Sequence, residues 1–267
     1  MGKNKQLYWI TIILLLLIVA ITFFAGRKYF KPETFDNSAN LSSAPASAST
    51  TSGSGNQNGK GNIQIPPDDD IHISVPNYSL QEIEAFLTND ECDKLIQIAS
   101  TRLEPSRVYT DSADLNDTQN RKSDQAWLKN DIDPLVFKIS QEVAKLSGFP
   151  IENQEDLQVV HYEPGGFFNT HYDACEGSKT FCQRMDGASG PRLWTYIIYL
   201  NDDLEGGETI FPFINKKVVP KKGKLVIFQS TDVSGKLIRQ SLHGGEPVRS
   251  GVKWICNKWV RTNTFVG

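Results

Sequence analysis

The sequence predicts a mainly β domain with flanking helices, an α+β arrangement around a double-stranded β-helix (jelly-roll) core, preceded by one transmembrane helix. Three observations predict it. Eight short β-rich runs separated by turn signals crowd residues 157–260, a spacing that suits a β-sandwich or jelly roll and leaves no room for the helices of a parallel α/β sheet. Two amphipathic helical patterns precede those runs. An uncharged apolar stretch near the amino terminus has the length of a bilayer-crossing helix.

That stretch, LYWITIILLLLIVAITFFAG, occupies residues 7–26 behind a short tail at 1–6. A cleaved signal peptide has an apolar part of only about 7–15 residues and an A-x-A-like cleavage site, which is missing here, so a signal anchor is the better reading. Lys3 and Lys5 face Arg27, Lys28 and Lys31 across it, so flanking charge sets no orientation. The short tail favours a single-pass type II protein with its bulk in the lumen of the endoplasmic reticulum or Golgi. Residues 27–70 are rich in Ser, Gly, Ala and Asn, too poor in apolar surface to fold, and read as a flexible linker. Sequons at Asn40, Asn77 and Asn116 agree weakly with that lumenal placement. Residues 71–267 are left for one folded domain. With 28 Lys+Arg against 31 Asp+Glu and a net charge of -3, nothing in the charge balance points to nucleic acid.

Within that domain, Thr88 followed by Glu91 forms a capping-box pattern ahead of Leu95, Ile96, Ile98 and Ala99, which starts a first helix. Asp133 as N-cap, Pro134 in the first turn and Gly148 past the end bound a second. The β runs follow in order: LQVVHYE, GFFNTHYD, LWTYIIYL, ETIFPF, KVVP, KLVIFQ, LIRQSLH and VKWICNKWV. The segments 102–126 and 174–191 read as long loops, the usual place for a lid.

Four histidines are present: His72, His161, His171 and His243. His171 and Asp173 are two apart in a predicted strand, so both leave one face while Tyr172 points away. With His243 arriving from a later strand, the set would be two imidazoles and one carboxylate, a facial triad suited to non-haem Fe(II). Spacing alone leaves open an ordinary strand histidine and a turn-forming aspartate. Lys253, ten residues after His243 in an apolar run, raises a second question, because a buried ammonium is costly unless an anion meets it. A gatekeeper lysine on a solvent-facing edge strand is the alternative.

Taken together, VVHYEPGGFFNTHYD, YIIYLNDDLEGGETIFP, KKGKLVIFQ and SLHGGEPVRSGVKWICNKWVR resemble the prolyl 4-hydroxylase family of Fe(II)/2-oxoglutarate-dependent dioxygenases, in order from about residue 73 to 266. The resemblance implies Fe(II) on His171, Asp173 and His243, with Lys253 pairing the far carboxylate of 2-oxoglutarate. It implies hydroxyl hydrogen bonds to that cosubstrate from Tyr162 and Thr209. O2 and ascorbate complete the implied cofactors, and a proline-containing peptide or protein is the implied substrate, with peptidyl lysine, another side chain or a small molecule as rivals. Strand parity puts Trp259 on the face of Lys253, where it could wall the cosubstrate pocket. Arg192 matches a position associated with peptide contact, and Arg261 is a second candidate. Arg261 stands where many members have His, and Phe168 where Tyr is frequent, so peptide specificity carries over less firmly than the iron chemistry. A non-enzymatic jelly-roll binding module would have no need of the triad and lysine together, and a zinc hydrolase would leave Lys253 without a role. No feature specifies a partner subunit. In an oxidising lumen, Cys175 and Cys182 bracket a loop short enough for a disulfide; Cys92 and Cys256 read as buried apolar residues.

Overall fold

Two antiparallel sheets of unequal size face each other, and their order is shown in a computed structural model describing residues 72–267 except 79, 109–117 and 178. The expected tail, anchor and linker at 1–70 and the sequons at Asn40 and Asn116 lie outside the described residues. Among the described residues no helix is long and apolar enough to cross a membrane.

The larger sheet has seven strands, in the spatial order Gln81–Ile83, Leu225–Gln229, Arg192–Tyr199, Lys253–Arg261, Leu157–Tyr162, Asp124–Leu128 and Glu104–Pro105. The smaller has five: Lys216–Val218, Thr209–Phe211, His243–Gly245, Phe167–His171 and Arg121–Lys122. All pairings within both are antiparallel. This is the mainly β jelly-roll architecture expected.

Period-two alternation divides the larger sheet between two cores. Along Lys253–Arg261, Ile255 joins the apolar cluster between the sheets with Val160, Tyr162, Ile197, Phe211 and Phe228. Trp254, Cys256 and Val260 turn to the other face and pack with the helices. Helix α1, Asn89–Ser100, begins at the predicted capping box, with Thr88 N–H donating to Glu91 (3.0 Å) and Glu91 N–H to Thr88 Oγ1 (3.3 Å). It buries Cys92, Leu95 and Ala99. Helix α2, Pro134–Ser147, is capped by Asp133, which accepts from Leu135 N–H at 2.8 Å, and ends at Gly148 with φ +73°, a left-handed position that favours glycine.

Three sequence expectations change. The run from Leu237 to His243 is not one strand: Leu237–Ile238 pairs in parallel with His72–Ile73, a 3-10 turn takes Arg239–Ser241, and His243–Gly245 enters the smaller sheet. The segment 102–126 is partly sheet edge, contributing Glu104–Pro105, Arg121–Lys122 and the start of Asp124–Leu128. The segment 174–191 carries helix α3, Lys179–Asp186, and a 3-10 turn at Gly187–Ser189. Polar composition disguised both segments as loops, because edge strands and a short rim helix bury few side chains.

Candidate active site

Register brings the chemistry together. His171 and His243 are direct cross-strand partners in the smaller sheet, and their ring centroids lie 4.4 Å apart. The strand expected to hold both His171 and Asp173 ends at His171, so Asp173 sits in the bend just beyond. The bend still turns its carboxylate inward: Oδ1 is 3.7 Å from His171 Nε2 and Oδ2 is 3.6 Å from His243 Nε2. One donor atom from each of the three lies within 4.8 Å of the others. Each imidazole Nδ1 is engaged by a backbone carbonyl, Asn169 O at 2.8 Å and Ser241 O at 2.9 Å, which directs Nε2 toward the shared centre.

The electrostatics suit a metal. Burial pushes His243 down to about 4, keeping a neutral imidazole with a free lone pair. Burial would also raise Asp173, but His243, His171 and the Arg192 guanidinium outweigh it and hold the carboxyl well below its usual range. Asp173 is therefore anionic. Two imidazole nitrogens and one carboxylate on one side of a centre leave the opposite side open, the donor set of a non-haem Fe(II) site.

His161 and His72 play no part in this cluster. His161 packs against Trp254 at 4.3 Å, and His72 lies beside Tyr172 and 3.3 Å from Glu176.

A cavity of about 820 Å³ opens over the three residues and is lined by Tyr162, Thr209, Lys253, Arg192, Trp259 and Arg261 among others. Lys253 is 2% exposed and lies on a central strand, so the edge-gatekeeper alternative fails. It is the register partner of Tyr162, and its Nζ lies 5.2 Å from that ring and 5.8 Å from the Tyr199 ring. No hydrogen bond or ion pair to Nζ occurs among the described residues, and burial lowers the group to about 8. Such an ammonium is a socket for an anion. Thr209 is also buried and receives a hydrogen bond from Tyr199 Oη at 2.7 Å, which leaves its own proton free to donate. Burial raises the Tyr162 phenol, against the lowering effect of Arg121, so Tyr162 remains a neutral donor. These groups fit a dicarboxylate cosubstrate.

Trp259 shares the face of Lys253, as parity predicts, but six residues along a strand are about 20 Å. It walls the other end of the cavity, with the Arg192 guanidinium 3.7 Å above its ring and Trp127 at 6.0 Å. Arg192 donates twice to Glu155 (2.6 and 2.8 Å) and once to the Asp173 carbonyl (3.2 Å). Arg261 meets the same Glu155 at 2.8 Å and the Gly190 carbonyl at 2.6 Å. Burial acts to raise Glu155, yet the two arginines hold it below its usual value. Cys175 and Cys182 form a disulfide that ties the start of the rim to α3.

Sequence reasoning missed several residues. Glu155 is the anion at the centre of both arginines. Arg121, 7% exposed, stacks 4.6 Å over Phe168 on the cavity wall. Lys258, fully buried on the helix side of the Lys253 strand, donates to the Glu155 carbonyl at 2.5 Å. Lys258 interrupts the same apolar run as Lys253, VKWICNKWV, and is equally legible in it. Thr195 and Ser230, beside Asp173, have no motif; only the register between Arg192–Tyr199 and Leu225–Gln229 brings them there.

A jelly roll holding two histidines and one carboxylate, with a buried lysine in the same cavity, defines a non-haem oxygenase site. Residues 157–261 match the model of the 2OG-Fe(II) oxygenase superfamily. A protein of Acanthamoeba polyphaga mimivirus assigned to the prolyl 4-hydroxylases is 37% identical over 176 residues, covering 66% of this chain and 71% of that one. Prolyl 4-hydroxylase 2 of Arabidopsis thaliana is 31% identical, covering 68% and 67%. Among solved structures, the viral collagen prolyl hydroxylase of Paramecium Bursaria Chlorella virus-1, in its 2OG complex, aligns with a TM-score of 0.56 at 31% identity, covering 70% of this chain and 97% of that one. The chain belongs to the prolyl 4-hydroxylase family of Fe(II)/2-oxoglutarate-dependent oxygenases.

Proposed function

We propose that this protein hydroxylates peptidyl proline to 4-hydroxyproline, consuming O2 and 2-oxoglutarate and releasing succinate and CO2. The observation that carries the reading is the pairing of an N2O donor cluster with a buried ammonium that makes no hydrogen bond or ion pair among the described residues, both on one cavity. When bound, Fe(II) and 2-oxoglutarate supply the activation of O2 that makes an inert C–H bond reactive.

The residues of the chain do the rest. His171, Asp173 and His243 hold the metal from one side. Lys253 neutralises the far carboxylate of the cosubstrate, and Tyr162 and Thr209 donate to it, which fixes the orientation of its other end toward the triad. The barrel wall of Ile197, Ile255 and Phe168 excludes water from that space. Trp259 and Trp127, with the Glu155, Arg192 and Arg261 network behind them, form the end that receives the peptide, because flat aromatic faces suit a pyrrolidine ring. Ascorbate serves to keep the metal ferrous between turnovers.

The same proposal places the catalytic domain in the lumen of the endoplasmic reticulum or Golgi, held by a type II anchor at residues 7–26. The apolar run supports the anchor, and the Cys175–Cys182 bridge suits an oxidising compartment.

Succinate release with proline-rich peptides tests the activity against lysine-containing, proline-free peptides and peptide-free controls. Proline-dependent release is expected. Release that follows lysine instead would move the substrate and keep the cofactors, and no release with any peptide in the presence of Fe(II) and 2-oxoglutarate would contradict the proposal.

A further inference from the structure

Asp173 is the one triad member not placed by a strand, yet its carboxylate must face two imidazoles at once. Two contacts hold it there. Arg192 Nη1 donates to its backbone carbonyl at 3.2 Å, and Thr195 Oγ1 donates to Oδ2 at 2.7 Å. Thr195 Oγ1 lies in turn 3.0 Å from Ser230 Oγ. Thr195 and Ser230 are both fully buried.

Proton placement in this row has one sense. An ionised carboxylate only accepts, so the Thr195 hydroxyl must give it its single proton. The Thr195 oxygen can then only accept from Ser230. Thr195 lies within the strand Arg192–Tyr199 of the larger sheet, and Ser230 directly follows its antiparallel neighbour Leu225–Gln229 and is tied to it by Ser230 N–H donating to the Leu193 carbonyl at 2.8 Å, whereas Asp173 sits in a bend of the smaller sheet's rim. The row therefore carries the position of a rigid element to a ligand on a less constrained one.

It also decides how the carboxylate can bind. With Oδ2 engaged by a charge-assisted hydrogen bond, Oδ1 is the oxygen left with both lone pairs. One oxygen from Asp173 keeps three coordination positions open, the number required for a bidentate cosubstrate and O2; a bidentate aspartate would close one of them. We propose that Thr195, backed by Ser230, is a positioning residue that fixes Asp173 as a single-oxygen ligand and thereby sets metal affinity. This rests on the reading of Asp173 as a metal ligand.

Titration of the apo-protein with Co(II), followed by its visible absorption in the absence of 2-oxoglutarate and peptide, tests it without reference to turnover. Thr195→Val keeps the β-branched shape and removes the hydroxyl; it is expected to raise the Co(II) dissociation constant about 10–100-fold and to change the band intensities that report coordination number. Thr195→Ser restores wild-type affinity within about threefold, and Ser230→Ala weakens binding by a smaller factor than Thr195→Val. A thermal melt accompanies each variant; should Thr195→Val fail to fold, the comparison of Thr195→Ser with Ser230→Ala decides, since the proposal requires weaker binding in the second. Affinity and spectrum unchanged in Thr195→Val, or Ser230→Ala equal to wild type where Thr195→Val does not fold, overturns the proposal. His171→Ala in the same titration reports on the ligand reading itself: loss of Co(II) binding there with none in Thr195→Val overturns the positioning role alone, and unaltered binding in His171→Ala overturns both.

Discussion

At the scale of single residues, the account divides the cavity into groups that must carry a fixed charge. Asp173 is ionised and His243 neutral, the protonation states that metal ligation requires. His171→Ala, Asp173→Ala and His243→Ala are each expected to abolish peptide-dependent succinate release and metal binding together; full activity in any one removes it from the ligand set. Lys253 offers a subtler test. Burial lowers it to about 8, so in the empty site the ammonium is complete below that pH and is lost above it. A bound dianion favours the charged form and raises the pKa, so binding takes up a proton. The dissociation constant of 2-oxoglutarate should stay flat below about pH 8 and rise above it. Lys253→Met should weaken binding by about 2 kcal/mol or more, at least about 30-fold. Binding measured by calorimetry that stays constant from pH 7 to 9.5, or survives in Lys253→Met, contradicts that role.

At the scale of elements, legibility followed the strength of the local signal. Both helices were readable to within a residue or two because their ends are chemical: Thr88 with Glu91, and Asp133 with Pro134 and Gly148, satisfy terminal backbone groups whatever lies around them. Asp133→Ala should cost about 1 kcal/mol and lower the melting temperature by about 2–4 °C, with activity at 25 °C unchanged; a larger loss would mean that Asp133 does more than cap. Strand pairs such as Glu104–Pro105 and Arg121–Lys122 carry no such mark, since two residues at a sheet edge are too few to display an alternation. Lys253 and the triad were legible through motif spacing, while Glu155, Thr195 and Ser230 acquire their roles only through register between distant strands. The rim helix α3 illustrates the consequence. Its Asp186 lies 3.7 Å from Arg261, and its Cys182 is tied to Cys175 by the disulfide. Cys182→Ser should raise the KM for peptide and leave 2-oxoglutarate affinity unchanged, because only the peptide end of the cavity leans on α3. A matching loss in both would place the bridge in the core of the site instead.

At the scale of the whole molecule, one barrel separates duties by depth. Lys253 stands at one end of the long central strand and Trp259 and Arg261 near the other, so the proposed cosubstrate and peptide ends of the cavity are about 20 Å apart along one backbone, with the triad on the smaller sheet's side. That separation explains how Arg261 can differ from the common family residue while the iron and cosubstrate groups match, whereas Phe168, stacked 3.6 Å from the His171 ring, keeps an aromatic face at its position. Under the proposed anchor at residues 7–26, a chain of residues 71–267 is expected to release succinate at the rate of the full protein, and only the full protein is expected to partition with membranes. The central claim is most directly tested by mass spectrometry of a proline-containing peptide incubated under 18O2 with the protein, Fe(II), 2-oxoglutarate and ascorbate. The account predicts one added 18O atom on the γ-carbon of proline, matched by succinate and absent without 2-oxoglutarate. An unmodified proline, or oxygen gained at another residue, would contradict it.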